Sequence, residues 1–520
     1  MHERTFGIGL DLGTSNSAVC RVDTSTGSYE WQQALDRAGS REIVSAIYID
    51  TNGDRYYGKP AAERQRNKDD AHRVIPNLKL LLRENRPMTL SGVGSYDPTD
   101  LMRGFIAYLK GCYESHFHEP CNRAVISVPA HEDFDFDYRE RIRETVYGSG
   151  DREPLFESVA TLHEPDAVLL SMIDLSPLFG KTVLVFDMGG GTLDVSIRHV
   201  DEEGGKPKLA HCSVVGSSAA GVKVTEALVN DILDRWQGKG GFTFSKEERL
   251  SAARVNHFGI DYAKRQLAGL ATQDGLDSLS TYNCQVNFPS RGLGWFSDDI
   301  PASRLTELSR PTCDLAVATV EKALSEAGMV ANEIDVYFMV GGSSRLPLMV
   351  QLLQAFFQGR YPNPPMGAFG SVEPLSAVSR GAALEDLDRE DEPARVPNSA
   401  PVLERRLPYS ISIVVDERSR TECLVEKNAE LPFGPVTKTF YLPVRDDNVD
   451  IELVRGQGRI DECVPVARRT VYFAKTLERN TEFKVSLYVD DDGEVTVTAL
   501  SDLGEPVTVI TAPRLEQEAA

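Results

Sequence analysis

Two stretches of the sequence decide the fold: FGIGLDLGTSNSAVCRV at residues 6–22 and TVLVFDMGGGTLDVSI at residues 182–197. In each, apolar residues alternate up to an aspartate, Asp11 or Asp187, and alternate again after a turn of small residues. Period-two alternation on both sides of a short turn predicts a β-hairpin. Because the two hairpins share one design, we interpret the chain as an internal duplication with two similar halves.

The tips of both hairpins suit a bound phosphate. Gly13 permits a tight turn in the first tip, and three successive glycines in the second let the main chain approach an oxyanion without a Cβ. Backbone N–H groups in such a turn surround an anion, and a neighbouring aspartate holds magnesium through water. Two tips would grip a polyphosphate from both sides, whereas one tip alone equally suits a plain polar turn. The tip residues are Gly13, Thr14, Ser15, Asn16, Gly189, Gly190, Gly191 and Thr192.

A third motif, VYFMVGGSSRLPLMVQLLQAFF, occupies residues 336–357. A predicted strand runs into Gly341 and Gly342, and a helix is expected to begin near Pro347, because proline is favoured at the first helical position. The glycines would let the backbone pack against a flat adenosine, and Arg345 would stack on the base. A glycine turn without any ligand is the alternative.

The composition narrows the classes of function. Lys plus Arg number 56 and Asp plus Glu 78, which gives a net charge of −22 and a pI near 4.9. This acidity argues against nucleic acid or an anionic membrane as a partner. The eight cysteines stand apart, so neither zinc nor a disulfide framework is predicted. We recognise no signal peptide and no run of about 20 apolar residues, and therefore expect a cytoplasmic protein.

The chain divides into an α/β region and an all-β region. Strand and helix patterns alternate up to about residue 385, which is typical of an α/β fold. The stretch EDLDREDEPARVPNSAP that follows combines charge with three prolines and predicts a linker, with an ordinary surface loop as the alternative. Short alternating runs separated by turn residues then predict a β-sandwich. The predicted boundaries are 1–385 for the α/β domain, 386–406 for the linker, 407–512 for the β domain and 513–520 for the tail.

Together these motifs resemble the superfamily of actin, sugar kinases and heat-shock ATPases, and in detail the seventy-kilodalton heat-shock chaperones of the DnaK type. The segments that carry this resemblance are GLDLGTSNS, VPA with the acidic and arginine-rich helix after it, EPDA, FDMGGGTLDVSI and GGSSRLP. Looser matches, such as LVEKNAELPF and LYVDDDGEVTVTAL, extend it into the β domain. The resemblance implies an actin-like ATPase fold of two duplicated ribonuclease-H-like lobes, followed by an all-β sandwich. The implied ranges are about 1–180 plus 360–385 for lobe I, 181–360 for lobe II and 226–300 for an upper clamp.

The resemblance also implies ATP or ADP with Mg²⁺ in the cleft between the lobes. Asp11 and Asp187 would hold the magnesium through water. Lys79 in PNLKLLLR would be the catalytic lysine beside the γ-phosphate, and Glu164 in HEPDA would orient the attacking water and the metal. Positioning and charge neutralisation would do most of the work, because phosphoryl transfer asks little covalent chemistry of a protein. Further contacts to phosphate, ribose and base are implied for Thr14, Ser15, Thr192, Asp261, Lys264, Gly342, Ser343 and Arg345.

In the β domain, the resemblance implies a pocket for an extended polypeptide client. The matched positions are apolar, as a pocket that accepts leucine requires, although an ordinary sandwich core would show the same pattern. Asp416 stands where the family has an apolar arch over the peptide. The pocket residues are Ile413, Phe440, Val449 and Ile451.

Several departures from the family pattern bear on affinity and regulation. Ala268 replaces a serine on the ribose side, and PLSAV at 374–378 replaces a more acidic segment near the adenine. The apolar interdomain linker of the family becomes VLERRL at 402–407; because desolvating charges is costly, we expect weak coupling between the domains. Ala160 and His163 replace residues that help the family bind J-domain partners, so a J-domain partner is not expected. A nucleotide-exchange factor is an expected partner, and the family's helical lid is expected to be missing.

The hypothesis that best covers these features is an ATP-dependent chaperone that binds extended apolar segments. A filament-forming or scaffold ATPase of the actin and MreB class shares both hairpins but does not explain the β domain. A sugar kinase would need a general base and a polar sugar pocket, for which the sequence offers no assigned residues. A client-specific adaptor with a slow ATPase is the remaining alternative.

Overall fold

The structure is a computed structural model, and it separates into two compact units, Met1–Val402 and Leu403–Ala520. Parts of the predicted lobe I (360–375) and linker (389–401), the whole tail and Asp416 lie outside the described residues. The structure describes residues 6–24, 29–67, 69–90, 92–130, 134, 136–148, 152–172, 175–203, 206–288, 293–357, 376–388, 402–407, 409–415, 420–442, 444–490, 495–501 and 506–512.

The first unit mixes strands and helices, as predicted. Its strands are β1 (Phe6–Asp11), β2 (Asn16–Asp23), β3 (Glu30–Gln33), β4 (Ile43–Val44), β5 (Ile47–Ile49), β6 (Arg55–Tyr57), β7 (Val74–Ile75), β8 (Met88–Leu90), β9 (Gly94–Tyr96), β10 (Arg123–Val128), β11 (Ser158–His163), β12 (Lys181–Met188), β13 (Leu193–Glu203), β14 (Lys206–Ser217), β15 (Thr281–Phe288), β16 (Gly294–Pro301) and β17 (Val336–Val340). Its helices are α1 (Lys59–Glu63), α2 (Leu78–Glu84), α3 (Pro98–Phe117), α4 (Phe136–Tyr147), α5 (Glu164–Leu170), α6 (Gly221–Gly240), α7 (Lys246–Val255), α8 (His257–Asp274), α9 (Ala302–Ala327), α10 (Pro347–Phe356) and α11 (Ala377–Asp388).

Two sheets of the first unit repeat one strand pattern. In the first, the order is β11–β10–β1–β2–β3; β1 pairs antiparallel with β2 and parallel with β10. In the second, the order includes β17–β12–β13–β14; β12 pairs antiparallel with β13 and parallel with β17. Both predicted hairpins are therefore present, and each is the start of a sheet with the same arrangement. We call the first sheet with its packed helices lobe I, and the second lobe II.

Apolar side chains on regular spacings bury the helices against these sheets. Asp97 caps the N-terminus of helix α3, because its side chain accepts hydrogen bonds from two N–H groups of the first turn. Pro98 follows at the first helical position. Leu101, Phe105 and Leu109 recur every four residues on one face of α3 and are buried in the lobe I core. The helical spacing of apolar residues at 99–118 predicts this helix from sequence, and the structure confirms it.

Helix α11 returns to lobe I and packs closely against β1 and α5. A Cβ on Gly9 of β1 would come within 2.1 Å of the Ser379 carbonyl oxygen, so only glycine allows this approach. Likewise, a Cβ on Gly381 of α11 would lie 1.8 Å from the Ala167 oxygen of α5. These two glycines therefore let the backbone of α11 come almost into direct contact with the backbones of β1 and α5.

The helix before the predicted linker extends three residues beyond the predicted boundary at residue 385. Helix α11 runs to Asp388, although residues 386–388 were predicted as linker. The reason is burial and bonding: Asp386 is 3% exposed, accepts the Ile8 N–H at 2.9 Å and pairs with Arg123. A two-residue strand, β18 (Val402–Leu403), lies where the two units divide.

The second unit consists of two four-stranded antiparallel sheets, in agreement with the predicted all-β region. The sheet orders are β20–β19–β22–β23 and β21–β24–β25–β26. Side chains such as Ile411, Leu453, Val485 and Leu487 are fully buried in this unit. The strands are β19 (Ile411–Val415), β20 (Arg420–Val425), β21 (Phe433–Tyr441), β22 (Asp446–Arg455), β23 (Val464–Leu477), β24 (Glu482–Val489), β25 (Val495–Ser501) and β26 (Pro506–Ala512).

Two sets of hydrogen bonds join separate segments of this second unit. Lys438 on β21 donates to the Glu422 carboxylate at 2.9 Å and to the Cys423 carbonyl oxygen at 2.6 Å on β20, so it bridges the outermost strands of the two sheets. The end of the predicted linker belongs here as well. The Leu407 N–H donates to Ala429 at 2.9 Å, and the Arg405 carbonyl accepts from Leu431 at 2.9 Å.

Among the described residues, no helix has both the length and the apolar character that crossing a bilayer requires. The apolar residues around 167–186 belong partly to α5 and partly to β12.

A buried ion pair joins the two lobes. Arg198 of β13 donates to both carboxylate oxygens of Asp166 on α5, at 2.8 and 2.9 Å from one nitrogen. The two side chains are 3% and 4% exposed. A pair this well shielded from water is expensive to break, because removing one partner leaves a buried charge.

We therefore expect Arg198→Met to lower the free energy of unfolding of the first unit by about 3–5 kcal/mol. Urea denaturation followed by circular dichroism measures this loss. Arg310→Met is the matched control, since the Arg310–Asp314 pair is 54% and 58% exposed and should contribute no more than about 1 kcal/mol. Equal losses in the two variants would show that the interlobe pair has no special role.

Candidate functional site

A cavity of about 450 Å³ lies between lobe I and lobe II, and both hairpin tips line it. The structure brings together every residue that the sequence predicted for the cleft. These are Asp11, Gly13, Thr14, Ser15, Asn16, Lys79, Glu164, Asp187, Gly189, Gly190, Gly191, Thr192, Asp261, Lys264, Gly341, Gly342, Ser343 and Arg345.

The two hairpin tips meet directly across the cavity. A Cβ on Gly190 would lie 2.5 Å from the Ser15 hydroxyl, and one on Gly191 would lie 2.3 Å from the Thr14 hydroxyl. The absence of side chains on these glycines is what lets the lobes approach so closely. The Thr14 and Ser15 hydroxyls of the lobe I tip therefore meet the glycines of the lobe II tip at one small volume.

A buried ion pair forms the floor of the cavity. The Lys79 ammonium, at the start of α2, donates to the carboxylate of Glu164, the first residue of α5. Their side chains are 3% and 9% exposed. Burial alone would lower the pKa of Lys79, but the Glu164 carboxylate and other nearby anions raise it above its ordinary value. Lys79 is therefore a fixed positive charge.

Acidic side chains crowd around this single cation. Burial, with a contribution from Glu164, raises the pKa of Asp11 to about 7, while a hydrogen bond from Ser127 at 3.3 Å opposes the shift. Burial and the neighbouring carboxylates raise the pKa of Asp187 well above its ordinary range. Such crowding makes the site a strong attractor for added positive charge.

Asp194 is a buried acidic residue that the sequence reasoning missed. It faces Asp187 across the β12–β13 pair, and burial raises its pKa to about 7. One carboxylate oxygen accepts the Ala130 N–H at 2.6 Å, and the other has no hydrogen-bond partner among the described residues. The signal was available, because Asp194 follows Thr192 inside the second hairpin motif.

The donor set fits a hard divalent cation. Asp11, Asp187 and Glu164 line the cavity with carboxylate oxygens, which Mg²⁺ prefers. Among the described residues, no three acidic, histidine or cysteine side chains are placed to hold a metal ion together. This arrangement suits an ion that keeps water ligands and shares the oxygens of a bound polyphosphate.

One face of helix α8 forms the opposite wall. Lys264 donates to the Gly221 carbonyl at 3.1 Å and the Thr225 hydroxyl at 3.0 Å, and it pairs with Asp261 at 2.6 Å. Burial raises the pKa of Asp261, but Lys264 outweighs it and the net shift is downward. The sequence analysis missed three further lining residues of α8 that lie four, eight and eleven positions after Asp261, a helical spacing that was a usable signal: Arg265, Gly269 and Thr272.

In the second unit, the predicted peptide-pocket residues lie on both sheets. Ile413 and Ile451 are 3% and 1% exposed on neighbouring strands β19 and β22, and Val449 is half-buried on β22. Phe440 is half-buried on β21 of the other sheet, where its ring lies 5.9 Å from that of Phe483. Their part in binding a peptide stays a prediction.

Comparison with known proteins identifies the family. A family model described as Hsp70 protein matches residues 83–517, well over half of the chain. The chain is similar to the chaperone protein DnaK of Thermoplasma volcanium, with 27% identity over 380 residues that cover 73% of this chain and 57% of that protein. It is also similar to the chaperone protein DnaK of Elusimicrobium minutum, with 23% identity over 529 residues that cover 98% of this chain and 78% of that protein. The match thus spans little more than half the length of the Thermoplasma relative. Seen with two matching lobes around one crowded, glycine-lined cleft, the family match means that this chain belongs to the Hsp70 protein family.

Proposed function

We propose that this protein is an ATP-dependent molecular chaperone. The first unit hydrolyses ATP in the cleft between its lobes, and the second unit binds extended apolar polypeptide segments. The observation that carries the proposal is the cavity in which two glycine tips meet above the buried Lys79–Glu164 pair. Family membership and the chaperone names of both relatives support it.

The proposed fold of the first unit is actin-like, with two duplicated ribonuclease-H-like lobes. The support is the repeated pattern in which β1 and β12 each pair antiparallel with the next strand and parallel with a later one. A parallel neighbour requires a crossover connection. The same crossover topology in both halves is therefore better explained by duplication than by chance.

In the proposed mechanism, backbone N–H groups of both tips and the hydroxyls of Thr14, Ser15 and Thr192 bind the phosphates. Mg²⁺ bound with the nucleotide would be held by Asp11 and Asp187 through water and would neutralise phosphate charge. The Lys79 ammonium stabilises charge on the γ-phosphate, since electrostatic positioning supplies most of such catalysis.

The attacking water needs acceptors for its protons. Glu164 accepts from Lys79 with one carboxylate oxygen and lines the cavity, and we assign its other oxygen to the water. Arg265 and Arg345 line the cavity together with small residues of α8, and we assign them to the adenosine.

In the second unit, we assign client binding to Ile413, Phe440, Val449 and Ile451. Main-chain hydrogen bonds from strand edges would give affinity, and the apolar side chains would select a leucine-like residue. Coupling to ATP is proposed to be weak, because the Arg406 side chain is already engaged by Glu404 and the Asn428 carbonyl within this unit. The cytoplasmic location, the exchange factor and the lack of a J-domain partner stay predictions.

The first test is Lys79→Ala in single-turnover ATP hydrolysis. Loss of the fixed positive charge should slow hydrolysis about 10²–10³-fold, the usual effect of removing one transition-state stabilising group. ATP affinity, measured by titration calorimetry, should fall much less. Lys322→Ala is the control, because Lys322 is 57% exposed on α9 and should keep the wild-type rate. An unchanged rate in Lys79→Ala would remove this lysine from the mechanism.

A second test concerns the glycine turn after β17. Gly341 has a φ of 78°, and a Cβ there would come within 2.5 Å of both Asp187 and the Met188 carbonyl oxygen. Gly341→Ala should therefore lower stability by about 1–3 kcal/mol and weaken ATP binding by displacing Asp187. Thermal unfolding and ATP titration measure the two effects. Gly259→Ala on α8, where a Cβ meets nothing within 4 Å, should behave like wild type.

A third test concerns coupling. ATP turnover is measured with and without an excess of an unfolded, leucine-rich peptide, and peptide binding is followed by fluorescence anisotropy. We expect binding that Ile451→Asp abolishes, and a stimulation of turnover below about fivefold, the lower end of the usual allosteric range. Strong stimulation by bound peptide would contradict weak coupling and leave the chaperone assignment intact.

A further inference from the structure

The helix that carries Lys79 is too short to hold its own position. Helix α2 has seven residues, and isolated helices of that length are unstable in water. It begins after Asn77, which has a left-handed backbone (φ 58°) and makes no side-chain cap bond, and it ends at Asn85, which is also left-handed. Neither end is fixed by its own side chains, so packing must determine where the Lys79 ammonium lies.

Helix α3 packs against α2, and residues of α4 and the segment just before it supply further packing around Lys79. The Phe134 ring centroid lies 5.9 Å from the Lys79 nitrogen and 5.5 Å from the Arg83 guanidinium, so one ring contacts cations from both ends of α2. Tyr138, one turn further on, packs edge-on against Phe134 at 4.9 Å and is 1% exposed. Both rings share the buried cluster that contains Leu78 of α2.

Arg141, three residues after Tyr138, holds the other end of α2. Its guanidinium donates to the Arg83 carbonyl at 2.8 Å and to the Leu82 carbonyl at 3.5 Å. The last carbonyl groups of a helix have no partner within the helix, and its C-terminus carries partial negative charge. A cation there satisfies both deficits and anchors the end of the helix opposite to Lys79.

We propose that Phe134, Tyr138 and Arg141 form a brace that positions Lys79 for ATP hydrolysis. None of the three reaches the cavity lining, so they act through the lysine and not on the substrate. The inference rests on the proposed function, in which Lys79 stabilises the γ-phosphate. It assigns a positioning role to residues behind the cleft, in addition to the residues that line it.

The test is a double-mutant cycle in single-turnover ATP hydrolysis with the full chain. Arg141→Gln should slow hydrolysis about tenfold or more, because displacements near 1 Å can cost about 10²-fold, while ATP affinity stays within about twofold. In the Lys79→Ala background, Arg141→Gln should cause no further loss, since its only route to the reaction is gone. Arg141→Lys keeps a cation at the helix end and should restore most of the rate.

Matched variants separate positioning from folding. Arg143→Gln alters the same helix, where its guanidinium pairs with Glu140 at 3.2 Å, and should keep the wild-type rate. Unfolding midpoints are measured throughout; if Arg141→Gln does not fold, Arg141→Lys and Phe134→Leu decide, with Phe134→Leu expected to lose rate without losing ATP affinity.

The possible failures are distinguishable. A wild-type protein that does not hydrolyse ATP overturns the proposed function. Wild-type hydrolysis with an unaffected Arg141→Gln overturns the brace alone. Losses that multiply in the Lys79→Ala background, or an equal loss in Arg143→Gln, also overturn it, because they indicate general disruption of α4.

Discussion

The confinement of several carboxylates around one buried lysine is the constraint on which the first unit depends. Asp11, Asp187, Asp194 and Glu164 share the charge of Lys79 in a space shielded from water, and the pKa values of the three aspartates rise in response. Lobes brought together in this way repel each other electrostatically. The opposing forces between the lobes are the buried Arg198–Asp166 pair and the contacts between the two hairpin tips.

The need to bring the two lobes close together explains why small residues occupy the hairpin tips where the lobes meet. A hairpin tip without side chains presents N–H groups instead of carbons, and these groups carry partial positive charge. The same glycines that lower the steric barrier therefore also favour an anionic guest. A polyphosphate with its counter-cation would then complete the charge balance of the cleft, which links the stability of the closed arrangement to occupancy.

Local patterns predicted the parts of the fold that depend on short-range spacing. The hairpins, α3, the glycine turn at Gly341 and the all-β region follow from periodicity and turn residues that a sequence displays directly. The limits of the linker did not, because the burial of Asp386 depends on Ile8 and Arg123, which are distant in sequence. Asp194 was missed for a related reason: its importance comes from facing Asp187 across a strand pair, and alternation alone reads it as one more strand position.

The lysine that bridges β20 and β21 has a consequence for the protein in a crowded cell. An unpaired outer strand of a sheet can pair with a strand of another chain, and such pairing leads to aggregation. Lys438 occupies the Cys423 carbonyl and places a charge at the seam between the sheets. This hydrogen bond and this charge disfavour the addition of another strand at the seam between β20 and β21.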